Sequence, residues 1–216
     1  LSCDLYKELP MLSKRMQELK PSPTLALAAK AKQLKAEGHD VISLTVGEPD
    51  WTTYDKAKEA GKKAIDENKT TYTPAAGIPQ LKKAIADLIG GQLNRPIDPT
   101  EVTVAAGAKY VIYGALTAIL DPGDEVIVPS PYWVSYPTMV ELAGGIPVTI
   151  TCEESTDFKL TASQLSESIG SKTKAILLNS PSNPTGAEYT KDELAALAEV
   201  LKQYPNVVII CDDIYN

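Results

Sequence analysis

Residues 174–186 read KAILLNSPSNPTG. The apolar run 175–178 is short and bounded by turn-forming residues, which predicts a buried strand. Two X-Pro steps follow, Ser180-Pro181 and Asn183-Pro184, and then Thr185-Gly186. The chain therefore has to leave the strand direction abruptly. A loop at the end of a parallel strand faces the edge at which open α/β sheets bind ligands. Asn183 either caps a turn there or offers its amide to a ligand, and the loop is compatible with both.

The sequence after this loop repeats the pattern. Residues 190–203 predict a helix that opens with Thr190 and Glu193 in capping-box spacing. Residues 206–212 (NVVIICD) are a strand that stays apolar until its last position. Asp212 should then emerge at the same sheet edge, where a carboxylate needs water or a cationic partner. A helix cap or loop salt bridge would serve it equally, and Asp213 is a neighbour for that lesser role.

Upstream, strands are predicted over 102–105, 125–128 and 146–151. Helices are predicted over 108–120, 134–142 and 161–170, the last with Thr161 and Gln164 in capping-box spacing. Regular alternation of this kind specifies a parallel sheet with crossover helices: an α/β, three-layer α/β/α fold. Two further loops stand at predicted strand ends. Ala106-Gly107-Ala108 runs into a helix N-terminus, whose free N–H groups and dipole suit a phosphate. Its spacing matches neither a Walker loop nor a dinucleotide fingerprint, which points to a small phosphorylated ligand. Pro129-Ser130-Pro131-Tyr132-Trp133 places a tryptophan where it either packs in the core or stacks on a planar ligand.

The N-terminal part is less regular. Residues 23–37 predict an amphipathic helix stopped at Gly38, and 41–46 a short strand leading to Gly47-Glu48-Pro49-Asp50-Trp51. Helices are predicted over 54–67 and 79–89, the second with Leu81, Ile85, Leu88 and Ile89 on one face. Between them lies an irregular stretch whose Tyr72 either packs on the surface or reaches a ligand.

Composition narrows the chemistry. The 216 residues are 44% hydrophobic with net charge −7, enough for an ample core and unsuited to sequence-independent nucleic-acid binding. No apolar run reaches bilayer-spanning length and no signal-peptide core opens the chain, so no membrane partner and a cytoplasmic location are expected. Cys3, Cys152 and Cys211 lack metal-site spacing, and no metal is expected. A single histidine, His39, falls in a polar turn, which leaves histidine-based hydrolysis little to work with. Difficult chemistry in such a chain belongs to a cofactor.

Taken together, Gly47-Glu48-Pro49-Asp50, Tyr72 with Gly77, Gly107-Ala108-Lys109, Pro131-Tyr132-Trp133, Asn183-Pro184-Thr185-Gly186 and Asp212-Asp213-Ile214-Tyr215 resemble the class I aminotransferases. These are pyridoxal-phosphate enzymes of fold type I, and the likeness is nearest to the bacterial aspartate aminotransferase subgroup. The resemblance implies that Gly107, Ala108 and Lys109 bind the phosphate of pyridoxal 5′-phosphate and that Trp133 stacks on its ring. It implies that Asn183 and Tyr215 meet the ring oxygen and that Asp212 keeps the ring nitrogen protonated, with Asp212 and Tyr215 the catalytic residues of this chain. Gly47, Trp133 and Asn183 would line the substrate site. Tyr72 would reach the phosphate of a second subunit, making the site depend on a homodimer. Residues 1–45 would be an arm, helix and first strand contributing to a small domain, and 46–216 part of the large cofactor-binding domain. Cis peptide bonds are implied before Pro131 and Pro184.

The likeness has departures. Trp51-Thr52-Thr53-Tyr54 stands where the family usually has phenylalanine, aspartate, threonine and proline, so bulk near the substrate entrance differs. Cys211 and Asp213 flank the aspartate in place of serine and glutamate. The Ser-x-x-Lys segment with the cofactor-anchoring lysine, and the arginines for phosphate and substrate carboxylate, are not in this chain. The large-domain sheet is thus expected to be incomplete at the C-terminus, and the chain inactive by itself. The expected activity is amino-group transfer between an L-amino acid, aspartate-like or similar, and a 2-oxo acid. Another enzyme of the fold, such as a carbon–sulfur lyase, or a non-catalytic binding fragment are the alternatives.

Overall fold

A computed structural model describes residues 11–19, 23–45, 47 and 49–215. These form two compact units: Ala106–Asn216 with the N-terminal residues up to Lys20, and Pro21–Ala105.

In the first unit, Lys14–Glu18 (α1) is capped by the Ser13 hydroxyl, and Arg15 donates to the Leu142 carbonyl at 2.7 Å. The remainder alternates: Ala108–Ile119 (α5), Glu125–Ser130 (β1), Ser135–Leu142 (α6), Ile146–Thr151 (β2), Ala162–Ser168 (α7), Thr173–Asn179 (β3), Lys191–Leu201 (α8) and Val208–Asp212 (β4). The second unit contributes Pro23–Ala36 (α2), Asp55–Asp66 (α3) and Pro79–Leu93 (α4). Both expected capping boxes are present, Thr161 with Gln164 and Thr190 with Glu193. A third, Asp98 with Glu101, opens a 3-10 turn in the second unit.

The four strands are parallel in the order β2-β1-β3-β4. Alternate residues of each strand face opposite sides, and each side has its own core. Val126, Val128, Ala175 and Leu177 pack with Ile112 and Leu116 of α5 and Tyr136, Met139 and Val140 of α6. Ile127, Ile150, Ile176 and Leu178 pack with Leu165 of α7 and Leu197 and Leu201 of α8. This is the expected three-layer α/β/α architecture. Strand order reverses between β1 and β3, so the crevice outside their C-terminal ends is the position such a sheet reserves for a ligand.

Two predicted strands are absent. Residues 102–105 join no ladder, and the Val104 N–H instead donates to the Ala76 carbonyl at 3.0 Å. Residues 41–45 are also irregular, with Ile42 and Leu44 almost wholly exposed; Val46 lies outside the described residues. Both stretches have strand composition, but a strand exists only where a neighbour accepts its hydrogen bonds. No such neighbour occurs among the described residues. The amphipathic expectations for this unit also need correcting: Leu25 and Leu27 of α2 and Leu81, Leu88 and Ile89 of α4 are exposed, while Ala86 is the buried residue of α4. Gly38, at φ +91°, stops α2 as expected.

Peptide bonds before Pro131 and Pro184 are cis, and so is the bond before Pro181, which was not anticipated. Cys152 is buried and Cys211 exposed, both as free thiols; Cys3 lies outside the described residues.

Candidate active site

The site is built from the C-terminal ends of β1, β3 and β4. The last residue of β3, Asn179, is a two-way latch. Its Nδ2 donates to the Asp212 carbonyl at 2.8 Å, and its Oδ1 accepts the Asn183 N–H at 2.8 Å. The end of β4 is thereby held beside the loop 180–187. That loop also closes on itself: the Ser182 N–H donates to the Ala187 carbonyl and the Gly186 N–H to the Ser182 carbonyl. Gly186 has φ +73°, a conformation that favours glycine.

Asp212 ends β4 with only 8% of its surface exposed. Its Oδ2 accepts the Tyr136 hydroxyl at 2.8 Å and its Oδ1 the Ile214 N–H at 3.3 Å. Among the described residues no lysine, arginine or histidine pairs with it. Two donors occupy about half the acceptor capacity of a carboxylate. A buried anion so placed is suited to one further donor, preferably cationic. Burial, and then the bond to Asp212, push the Tyr136 hydroxyl far above its ordinary range, so it remains a neutral donor.

Trp133 follows the end of β1 and is half-buried. Its ring meets Tyr136 edge to face, with centroids 5.4 Å apart and planes at 85°. The Lys109 ammonium lies 4.9 Å from the centroid of the Trp133 ring, within cation–π range. Lys109 belongs to the first turn of α5, whose N-cap is Gly107 at φ +87° with no side-chain cap. The first intrahelical bonds run from the Tyr110 and Val111 N–H groups to the Gly107 carbonyl. The Ala108 and Lys109 amides precede them and remain available to an anion. Asn183 Nδ2 donates to the Tyr215 hydroxyl oxygen at 3.2 Å.

Trp133, Lys109, Asp212, Asn183 and Tyr215 are thus linked through short contacts, with Gly107 and Ala108 beside Lys109. Gly47 and Tyr72 belong to the second unit, where Tyr72 is fully exposed. Sequence reasoning overlooked Tyr136 and Asn179. Tyr136 lies in the first turn of α6, three residues after Trp133, and its N–H donates to the Trp133 carbonyl at 3.0 Å. Asn179 is the first polar residue after the apolar run of β3, with Ser180 between it and Pro181. Both signals were available.

A parallel sheet with a capless helix N-terminus, an aromatic face and a buried acid without a cation among the described residues defines the α/β class of proteins that bind ligands at one sheet edge. Residues 39–216 match the family model for aminotransferases of class I and II, and the chain belongs to that family. The cofactor of that family is pyridoxal 5′-phosphate. The chain is 51% identical over 208 residues to an aspartate/prephenate aminotransferase of Cereibacter sphaeroides, covering 96% of this chain and 52% of the relative. It is 49% identical over 205 residues to an aspartate aminotransferase of Geobacillus stearothermophilus, covering 95% and 52% respectively. The solved Thermus thermophilus aspartate aminotransferase with maleate superposes with a TM-score of 0.91 at 43% identity, covering 96% of this chain and 54% of that one. The chain spans about half the length of the curated relatives it matches.

Proposed function

We propose that the protein containing this chain is a pyridoxal-phosphate-dependent aminotransferase acting between an aspartate-like L-amino acid and a 2-oxo acid. The observation that carries this reading is Asp212: a buried carboxylate at the ligand edge of the sheet, held by two neutral donors and lacking a cation among the described residues. The residues fit the cofactor. Its pyridinium nitrogen is the cationic donor that Asp212 lacks, and its phosphate suits the Ala108 and Lys109 amides beyond Gly107.

When bound, the cofactor supplies a carbonyl to take up the amino group and an electron-poor ring to accept the pair left when Cα loses its proton. Asp212 holds the proton on the ring nitrogen, which keeps the ring electron-poor. Trp133 covers a ring face and excludes water from it. Asn183 and Tyr215, already bonded to one another, orient the ring oxygen. Lys109 brings positive charge across Trp133, in keeping with anionic ligands at this edge. A dicarboxylate substrate agrees with the maleate held by the Thermus relative. Gly47 would lie at the substrate carboxylate, and Tyr72 would reach the phosphate of a second subunit in a homodimer. Residues 1–45 would then be an arm contributing to a small domain, residues 46–216 would form part of the large domain, and the enzyme would be cytoplasmic.

The test uses the full-length protein with L-aspartate and a 2-oxo acid acceptor, both products being followed by chromatography. Wild type should transfer the amino group, and Asp212→Asn should retain its circular dichroism while losing roughly 10²–10⁴-fold in turnover, as expected when a held proton is removed. Wild-type turnover in the variant, or a wild type that transfers nothing from L-aspartate but releases ammonia and pyruvate from an S-substituted L-cysteine, would sink the reading.

A further inference from the structure

We propose that Tyr136 is a positioning residue that sets the orientation of the Asp212 carboxylate and couples it to the plane of Trp133; this rests on the cofactor reading above. The hydroxyl donates to Oδ2 of Asp212 at 2.8 Å across 76 residues of sequence. The ring is 2% exposed and is held by the α6 side of the core, among Ile112, Leu116, Met139 and Val140. Its edge-to-face contact with Trp133, at 5.4 Å and 85°, fixes the two aromatic planes relative to each other.

Asp212 has two carboxylate oxygens and two donors, and they differ in kind. The Ile214 N–H belongs to the same loop, two residues on, and moves with Asp212. Tyr136 belongs to a different element and is packed in the core, so among the described residues it is the donor that ties the carboxylate to the surroundings of the sheet. Without the phenol the carboxylate is free to turn about its χ2 torsion, a broad and soft rotation. A partner arriving at the carboxylate must then stop that rotation, and the ordering cost appears as weaker binding. The same tyrosine touches Trp133, so one side chain fixes both the in-plane acid and the stacking surface. A neutral donor is the suitable group: a cation at this place would neutralise Asp212 and remove its attraction for a pyridinium.

The experiment is a double-mutant cycle on the full-length apoenzyme, using pyridoxamine 5′-phosphate as the probe because it cannot form an imine with a lysine. Dissociation constants are measured for wild type, Tyr136→Phe, Asp212→Asn and the double variant. Tyr136→Phe should raise the dissociation constant about tenfold in the wild-type background, the scale of one charge-assisted hydrogen bond. In the Asp212→Asn background it should change by less than about twofold, because there is no carboxylate left to orient. Equal losses in both backgrounds would show a packing role and overturn the proposal, as would no loss in the wild-type background. If wild-type apoenzyme fails to bind the probe, or Asp212→Asn binds it as tightly as wild type, the cofactor reading fails instead. Phenylalanine keeps the ring that packs on Trp133 and the core, and matching far-ultraviolet circular dichroism checks that it does.

Discussion

Replacing Asn179 by alanine would cut the link between the β3 loop and the end of β4. Two side-chain hydrogen bonds disappear, both at 2.8 Å: one to the Asp212 carbonyl and one from the Asn183 N–H. Each contributes about 0.5–1.5 kcal/mol net, and more where the abandoned backbone group is screened from water. Both are partly buried, so the sum is about 2–3 kcal/mol. The loss divides between global stability and local order, because Asn183 and Asp212 are the groups set free. Chemical denaturation of the full-length protein should show the midpoint falling. Titration of its apoenzyme with pyridoxamine 5′-phosphate should show weaker binding, because Asn183 and Asp212 then have to be ordered by the ligand. An unchanged denaturation midpoint together with unchanged affinity would refute the latch. Asparagine at this strand end would then be an ordinary turn residue.

Two further outcomes follow from the core of the first unit. Leu165, fully buried between α7 and the sheet, should cost about 2–5 kcal/mol on replacement by alanine; a change below about 1 kcal/mol in urea denaturation would mean that the α7 face repacks freely. Burial pushes the Tyr189 phenol up to about 12, and its oxygen accepts the Leu160 N–H at 2.8 Å. Its folded-state value lies above the unfolded one, so the unfolded chain releases this proton first as pH rises. The contribution is complete below about pH 10 and is lost as pH climbs towards about 12. Tyr189→Phe should flatten the decline of stability measured from pH 9.5 to 11.5, and an identical slope in both proteins would count against the assignment.

The sequence made the four strands of the sheet legible through continuous apolar runs. The run 175–178 is buried on both faces, whereas 207–211 is equally apolar although Val208, Ile209 and Cys211 are exposed. It misled for 41–46 and 102–105, because valine and isoleucine report compatibility with a strand and not the presence of a partner strand. Asp212 was found because an acid closing an apolar run is conspicuous. Tyr136 was missed because a tyrosine on an apolar helix looks like core, and core is where its ring lies; only its oxygen, reaching a residue 76 positions away, has the other role. Asn179 was hidden for a similar reason, since its bond to the Asp212 carbonyl depends on the β3–β4 pairing and its other bond, from the Asn183 N–H, on the turn of the loop.

Parallel strands also dictate where the molecule can be handled. Every strand of this sheet starts at the edge opposite the site, where the exposed residues 170–172 lead into β3 and the Glu125 N–H donates to the Lys172 carbonyl at 2.8 Å. A seven-residue strand such as β3 separates the two edges by roughly 20 Å. A dye attached at Ser171 would therefore report on ligand arrival by energy transfer without touching any group that binds it. The remote edge is a natural position for instrumentation, and the same logic makes it the safer place for an insertion or an affinity handle.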